Sequence, residues 1–299
     1  MMEYIIASTA VTDEICLADG KNIGKVAGGA GIYALCGIKL WCDDVLLVTG
    51  VGSDYKSIYN RWYEDNGISM DGLIVKDDKT PHTLVRYFED GEREETPLYG
   101  ETHYQKIEAS PKDLEPYFQT AKGIYIFKNS NAGFWEEIIS LKQNSNAVVM
   151  WEIANDATYF ENREYVRRIA GNMEILSINI SEARHLLGKE TLDEMVNEFK
   201  CWGLKLIFLR LGPKGALMIT PSQVVEVPSM KDINVIDPTG GGNSSSGAVL
   251  YGYCEGYDIE TCGKMGSISA AVCISQYGVP KLIDTEKYRI KLRDEVEMC

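Results

Sequence analysis

The sequence predicts an α/β protein, a mainly parallel sheet covered by helices. Three observations carry this. Short apolar segments of strand length recur at residues 4–9, 45–51, 123–127, 147–153, 175–180 and 204–211, with helical stretches separating most of them. Such alternation is the pattern of βα units. A charged segment, residues 80–106, breaks the rhythm. A glycine-rich stretch late in the chain, Asp237-Pro238-Thr239-Gly240-Gly241-Gly242-Asn243-Ser244-Ser245-Ser246-Gly247, stands before a run of helix-compatible small residues.

Each element has its own signal. Residues 4–9 read as a buried first strand, with Asp13 a few positions beyond it. Gly28-Gly29-Ala30-Gly31 opens an apolar helix over 32–42. Residues 45–51 are a second strand, and 55–66 a helix leading through Gly67-Ile68 to a further short strand. In the interrupting segment 84–88 is extended, and Asp90-Gly91 is a strong hairpin signal. A charged hairpin between βα units is an edge decoration or a lid. The rhythm resumes with strand 123–127, helix 131–142, strand 147–153, strand 175–180 and a helix beginning at 181–187. Strand 204–211 turns at Gly212-Pro213-Lys214-Gly215, and 216–220 with 224–227 makes a β-pair. Residues 233–236 read as a short strand before the glycine stretch. Helices rich in small residues follow at 244–253 and 261–276, and a polar helix at 285–298. No repeat, low-complexity tract or linker divides the chain, so residues 1–299 read as one domain.

Composition narrows the function. With 45% hydrophobic and 25% charged residues the chain is an ordinary globular protein. A net charge of -14 argues against nucleic acid or an anionic membrane surface as partner. It leaves a nucleotide ligand open, because a local glycine-rich hole and a magnesium ion override the global field. The eight cysteines form no C-x-x-C pair, and the three histidines (His82, His103, His185) have no metal-ligand or catalytic spacing. Free thiols in a reducing cytoplasm are expected. The first residues read as a strand rather than a signal peptide. No apolar run approaches the ~20 residues of a membrane span.

Three consecutive glycines at the start of a helix remove every Cβ that would hold a ligand off the backbone. The exposed N–H groups and the helix dipole then favour an anion, phosphate above all. Glu152 ends a central strand and faces the crevice where parallel sheets bind ligands. Trp151 beside it is either a stacking wall or core.

The segment from Asp237 to Asn243 resembles the signature of the ribokinase-like (PfkB) carbohydrate and nucleoside kinases, D-T-x-G-A-G-D. Asp237, Thr239, Gly240 and Gly242 match; Pro238 and Gly241 differ. The resemblance implies a three-layer α/β/α sandwich with a small β-strand lid built from segments at about 10–20 and 80–106, often dimeric through the lids. It implies a backbone anion hole at Gly240, Gly241 and Gly242. It implies substrate contacts from Asp13, Gly28 and Gly29, although a tight helix start and a solvated turn Asp are the plain alternatives there. Glu152 joins these as a candidate polar contact. Asn179-Ile180-Ser181-Glu182 resembles the family's N-x-x-E element, placing Asn179 near the nucleotide and Glu182 near magnesium through water; Glu182 is also a plain capping residue. The turn around Arg210, Gly212 and Gly215 resembles the one before the nucleotide-binding hairpin, with Arg210 or Lys214 facing phosphate or solvent. The segment containing Gly278 resembles the one that walls the adenine, though small residues also pack helices, and the resemblance implies a monovalent-cation site, potassium, at Asp237.

The departure that matters is Asn243. The family has an Asp here that takes the proton of the attacking hydroxyl, and a carboxamide has no useful basicity. The resemblance therefore implies ATP- and magnesium-dependent phosphorylation of a hydroxyl on a small sugar or nucleoside. The alternative is a catalytically impaired protein that keeps the sugar, nucleoside or nucleotide pocket. From sequence alone, Asn243→Asp is expected to raise transfer.

Overall fold

A computed structural model describes residues 2–89, 93–281, 283, 284, 286 and 290. The elements run β1 (Tyr4–Ala7), β2 (Val11–Cys16), β3 (Asn22–Gly28), α1 (Ala30–Lys39), β4 (Val45–Gly52), α2 (Tyr55–Asp65), β5 (Leu73–Asp77), β6 (His82–Tyr87), β7 (Arg93–Pro97), α3 (Glu101–Ile107) and α4 (Pro111–Leu114). They continue with β8 (Gly123–Lys128), α5 (Ala132–Gln143), β9 (Val148–Ile153), α6 (Arg163–Ala170), β10 (Ile175–Asn179), α7 (Ile180–Leu187), α8 (Leu192–Trp202), β11 (Leu206–Arg210), β12 (Ala216–Ile219), β13 (Val224–Val227), α9 (Gly241–Cys254) and α10 (Ile259–Cys273).

Nine strands form one sheet in the order β13-β12-β11-β10-β9-β8-β1-β4-β5. The strands from β11 through β5 in this order run parallel, and β12 and β13 close one edge antiparallel. Both faces are apolar, as a helix-covered sheet requires. Along β1, Ile5 and Ala7 join the cluster covered by α5, α6, α7 and α8, whereas Tyr4 and Ile6 join the one covered by α1, α2 and α9. The same period of two turns Tyr125, Glu152, Ser177 and Arg210 towards α9, where the Ser177 and Ser246 hydroxyls meet at 2.8 Å. Trp151 points the other way, into the core beside Trp135, so it is core and not a wall of the crevice.

A second sheet, ordered β3-β2-β6-β7, lies over the crevice, where the sequence places a lid. It includes a strand, β3, that the sequence reading did not assign. The turn signal at Asp90-Gly91 and most of the tail predicted as helix 285–298 lie outside the described residues. One expectation is corrected. Residues 233–236 form no strand. The amides of Ile236 and Asp237 both reach the Ile274 carbonyl instead, and Ile233 and Val235 line a cavity. Their apolar character serves that wall, not a sheet.

Candidate active site

The site is built around the start of α9. Asp237 is buried, and its Oδ1 accepts the Thr239 N–H at 2.8 Å, turning the chain into Gly240. Gly240 lies at φ 75°, and the Tyr33 ring occupies the space a Cβ would need, so glycine is required there. The Ser244 amide bonds back to the Gly240 carbonyl at 2.9 Å. The amides of Gly242 and Asn243 belong to the first turn, where a helix offers no internal acceptor and its dipole is positive. This is the geometry of a backbone anion cradle.

Two cavities meet at this turn. One, of about 550 Å³, has Thr239, Gly240 and Asn243 in its wall together with Asp13, Gly29 and Tyr33. The other, of about 430 Å³, is lined by Gly241, Gly242 and Ser245 together with Arg210, Gly212 and Gly215. The helix start thus separates two compartments and contributes backbone to both.

Asp13, on β2, is only 7% exposed, which removes the solvated-turn reading. Its carboxylate packs on Gly28, where any Cβ would collide with it. Burial pushes the Asp13 carboxyl up to about 7; the carboxylates of Glu95 and Asp237 add to this, while Arg93 and the Thr83 hydroxyl oppose it. Burial thus favours the protonated carboxyl, and in its ionised form it would be an acceptor for hydroxyl donors of a ligand.

Beneath the cradle lies a buried polar network. Asn243 Nδ2 donates to Glu152 Oε1 at 2.9 Å and lies 3.3 Å from Tyr125 Oη. Tyr125 donates to Glu152 Oε2 at 2.9 Å. Burial, and then the adjacent Glu152 carboxylate, hold the Tyr125 phenol well above its usual pKa, so it remains a donor. Arg210 Nη1 pairs with Glu152 Oε1 at 2.9 Å, and Nη2 lies 3.7 Å from Glu182 Oε2. The same guanidinium lies where a side chain on Gly242 would stand. Glu152, 1% exposed, lines neither cavity; it ties the Asn243 of one to the Arg210 of the other.

A model of the pfkB family of carbohydrate kinases matches residues 1–286. The chain belongs to that family. Among curated relatives, it is 27% identical over 286 residues to a cytidine kinase of Thermococcus kodakarensis, covering 93% of this chain and 98% of the relative. It is 27% identical over 279 residues to a nucleoside kinase of Methanocaldococcus jannaschii, covering 89% and 87%. The fold is that of an adenosine kinase from Sinorhizobium meliloti, with TM-score 0.81 at 18% identity over 97% and 99% of the two chains. At the level of class the chain is a sugar or nucleoside kinase of the ribokinase-like fold.

Within this PfkB-family chain, Arg210, Gly212 and Gly215 line the second cavity, while Lys214 is exposed and does not line it. Asn179 and Glu182 form a reciprocal cap on α7. Neither lines a cavity, and Glu182 approaches the site only through Arg210. Gly278 packs on Val26 of β3 rather than on the second cavity, whose helical wall is Gly263, Gly266 and Ala270. Asp237 is engaged by its own turn. Among the described residues no group of three or more His, Cys, Asp or Glu is arranged to hold a metal. Magnesium keeps waters and leans on substrate phosphates, so Glu182 fits it only as an outer, water-mediated partner.

Sequence reasoning missed Tyr33, Tyr125, Arg93, Glu95 and Asp232. Arg93 and Glu95, adjacent on one face of β7, were visible only as hairpin charge. Asp232, at φ 58° on the wall of the second cavity, carried no signal beyond being a polar residue in a loop. No helix among the described residues is long and apolar enough to cross a membrane.

Proposed function

We propose that this chain transfers the γ-phosphate of ATP to a hydroxyl of a nucleoside. The observation that carries the reading is the position of the α9 start, whose first turn gives backbone to both cavities. A donor in one and an acceptor in the other would meet over the cradle. The family implies ATP as donor, and the similarity to cytidine and nucleoside kinases favours a nucleoside over a free sugar.

In this reading Asp13 accepts hydrogen bonds from two neighbouring hydroxyls of the nucleoside sugar. Asn243, its Nδ2 turned to Glu152, offers Oδ1 to the attacking hydroxyl. The amides of Gly242 and Asn243 and the Arg210 guanidinium meet the oxygens of the phosphoryl group. Bound magnesium would supply charge neutralisation on the phosphates, with Glu182 reaching it through water. The hydroxyl oxygen bonds to phosphorus as the bond to the ADP oxygen breaks, and the proton leaves late, onto an oxygen of the transferred group. A loose transition state needs positioning and electrostatics more than a base.

One observation favours a second reading, binding without transfer: position 243 is a carboxamide. Losing a general base typically costs ~10²–10⁴ in rate. The test is ADP release from Mg-ATP with cytidine, uridine, adenosine, inosine or ribose, beside calorimetric binding of each. Nucleoside-dependent ADP release supports the kinase. Binding with no release for any compound replaces it with the second reading.

A further inference from the structure

Glu152 and Asn243 are one hydrogen-bonded unit, and we infer that they are a coupled acid–amide pair, with the carboxylate on β9, the carboxamide on α9, and function dependent on position 243 being neutral. The inference deepens the proposed kinase reading and rests on it for its activity readout. Its charge requirement is independent of that reading.

The geometry is specific. Glu152 Oε1 takes Asn243 Nδ2 and Arg210 Nη1, each at 2.9 Å, and Oε2 takes the Tyr125 hydroxyl. The carboxylate is 1% exposed, so water cannot screen a second negative charge beside it. With Nδ2 committed to Glu152, Oδ1 is the end of Asn243 left for the cavity it shares with Asp13. A carboxylate acceptor needs a donor, which fixes the amide's orientation. Glu152 is thus a positioning residue: it decides which atom of residue 243 a substrate meets. Two carboxylates at this spacing would share one proton and resist joint ionisation. Asn243→Asp, a gain from sequence alone, should therefore be a loss while Glu152 is present.

The experiment compares wild type, N243D, E152Q and the N243D/E152Q swap. Melting temperature is followed from about pH 5.5 to 8.5 without ligand, the range in which a shared proton is expected to leave. ADP release is followed with Mg-ATP and cytidine, or the nucleoside most active with wild type. The charged and titratable groups facing the pair are Tyr125 from β8, Arg210 from β11 and, across Arg210, Glu182 from α7. All are common to the four proteins, so differences report positions 152 and 243.

N243D should melt below wild type at the alkaline end and recover most of the gap at the acid end; the swap should lose that pH dependence. N243D and E152Q should each transfer at least ~10-fold more slowly than wild type, and the swap should recover at least ~10-fold over N243D, a non-additive result expected only of coupled residues. The inference is overturned if N243D melts like wild type at every pH, if N243D outpaces wild type, or if the swap is no better than the worse single variant. If no protein transfers phosphate, the kinase reading fails, and the melting series alone decides the pair.

Discussion

The two cavities that meet at residues 240–243 are built from opposite materials. The first is walled by charge: Asp13, Arg93, Glu95, Glu108, Lys128 and Asp156 all line it, and three of these stand on the small sheet. The second is walled by small and apolar residues, with Arg210 and Asp232 as its charged side chains. A charged wall discriminates by leaving mismatched polar groups unpaired, which is costly. An apolar slot accepts a flat ring with little discrimination between shapes of similar size. On the proposed reading, this contrast would give substrate choice to the first compartment and donor holding to the second.

Arg210→Met would test that division most severely. It removes the cation beside the cradle and leaves Glu152 buried without its ion-pair partner, a change that typically costs ~3–5 kcal/mol. ATP affinity should fall by about 100-fold or more by calorimetry, with a lower melting temperature, while nucleoside affinity changes far less. Equal loss of both ligands would break the two-compartment view.

Asp13→Asn should separate binding from stability. The folded protein holds this carboxyl at about 7 against an ordinary value near 3.8, so folding favours the protonated form. Ionisation therefore lowers stability progressively from about pH 4 to pH 7, and the full penalty stands above that. The Asn variant should melt several degrees higher at pH 8, corresponding to roughly 2–4 kcal/mol, with little difference at pH 4. Its nucleoside affinity should fall about 10-fold or more, and its ATP affinity should not. An unchanged melting curve at pH 8 would mean that the carboxylate is already compensated.

In wild type the same titration predicts weaker nucleoside binding below about pH 7, as the acceptor carboxylate is lost. Calorimetry at pH 6 and pH 8 checks the sign; affinity rising towards acid would contradict it. The smallest effect belongs to Arg93→Ala on β7. It should shift the ranking of nucleosides by a few-fold, roughly 1 kcal/mol, and leave ATP binding alone. Measured KM values across the nucleoside panel decide this.

Much of this was legible from the chain. The βα rhythm, the charged segment that breaks it and the glycine turn have local signatures: apolar runs, clustered charge, absent side chains; Asp13 stood out only through the family resemblance. The Glu152 network has none. Asn243 lies 91 residues from Glu152 and 118 from Tyr125, and only the order of the strands brings them together. Residues 233–236 misled for a related reason: a short apolar run looks the same whether it meets a neighbouring strand or lines a slot. The strand β3 was missed because its pattern is mostly exposed, with burial beginning only at Ala27 and Gly28.

Every strand of the small sheet contributes to the first cavity or to what shapes it: Asp13 from β2, Gly28 from β3 beneath that carboxylate, Thr83 from β6, and Arg93 and Glu95 from β7. On the proposed reading the sheet would be both cover and grip. A ligand held by Asp13 would cross-link the cover to the body of the protein, so that affinity and closure would be a single equilibrium rather than two steps. Amide exchange in β2 and β6 would then act as an occupancy gauge, slowing in proportion to the fraction of sites filled whether or not phosphate is ever transferred.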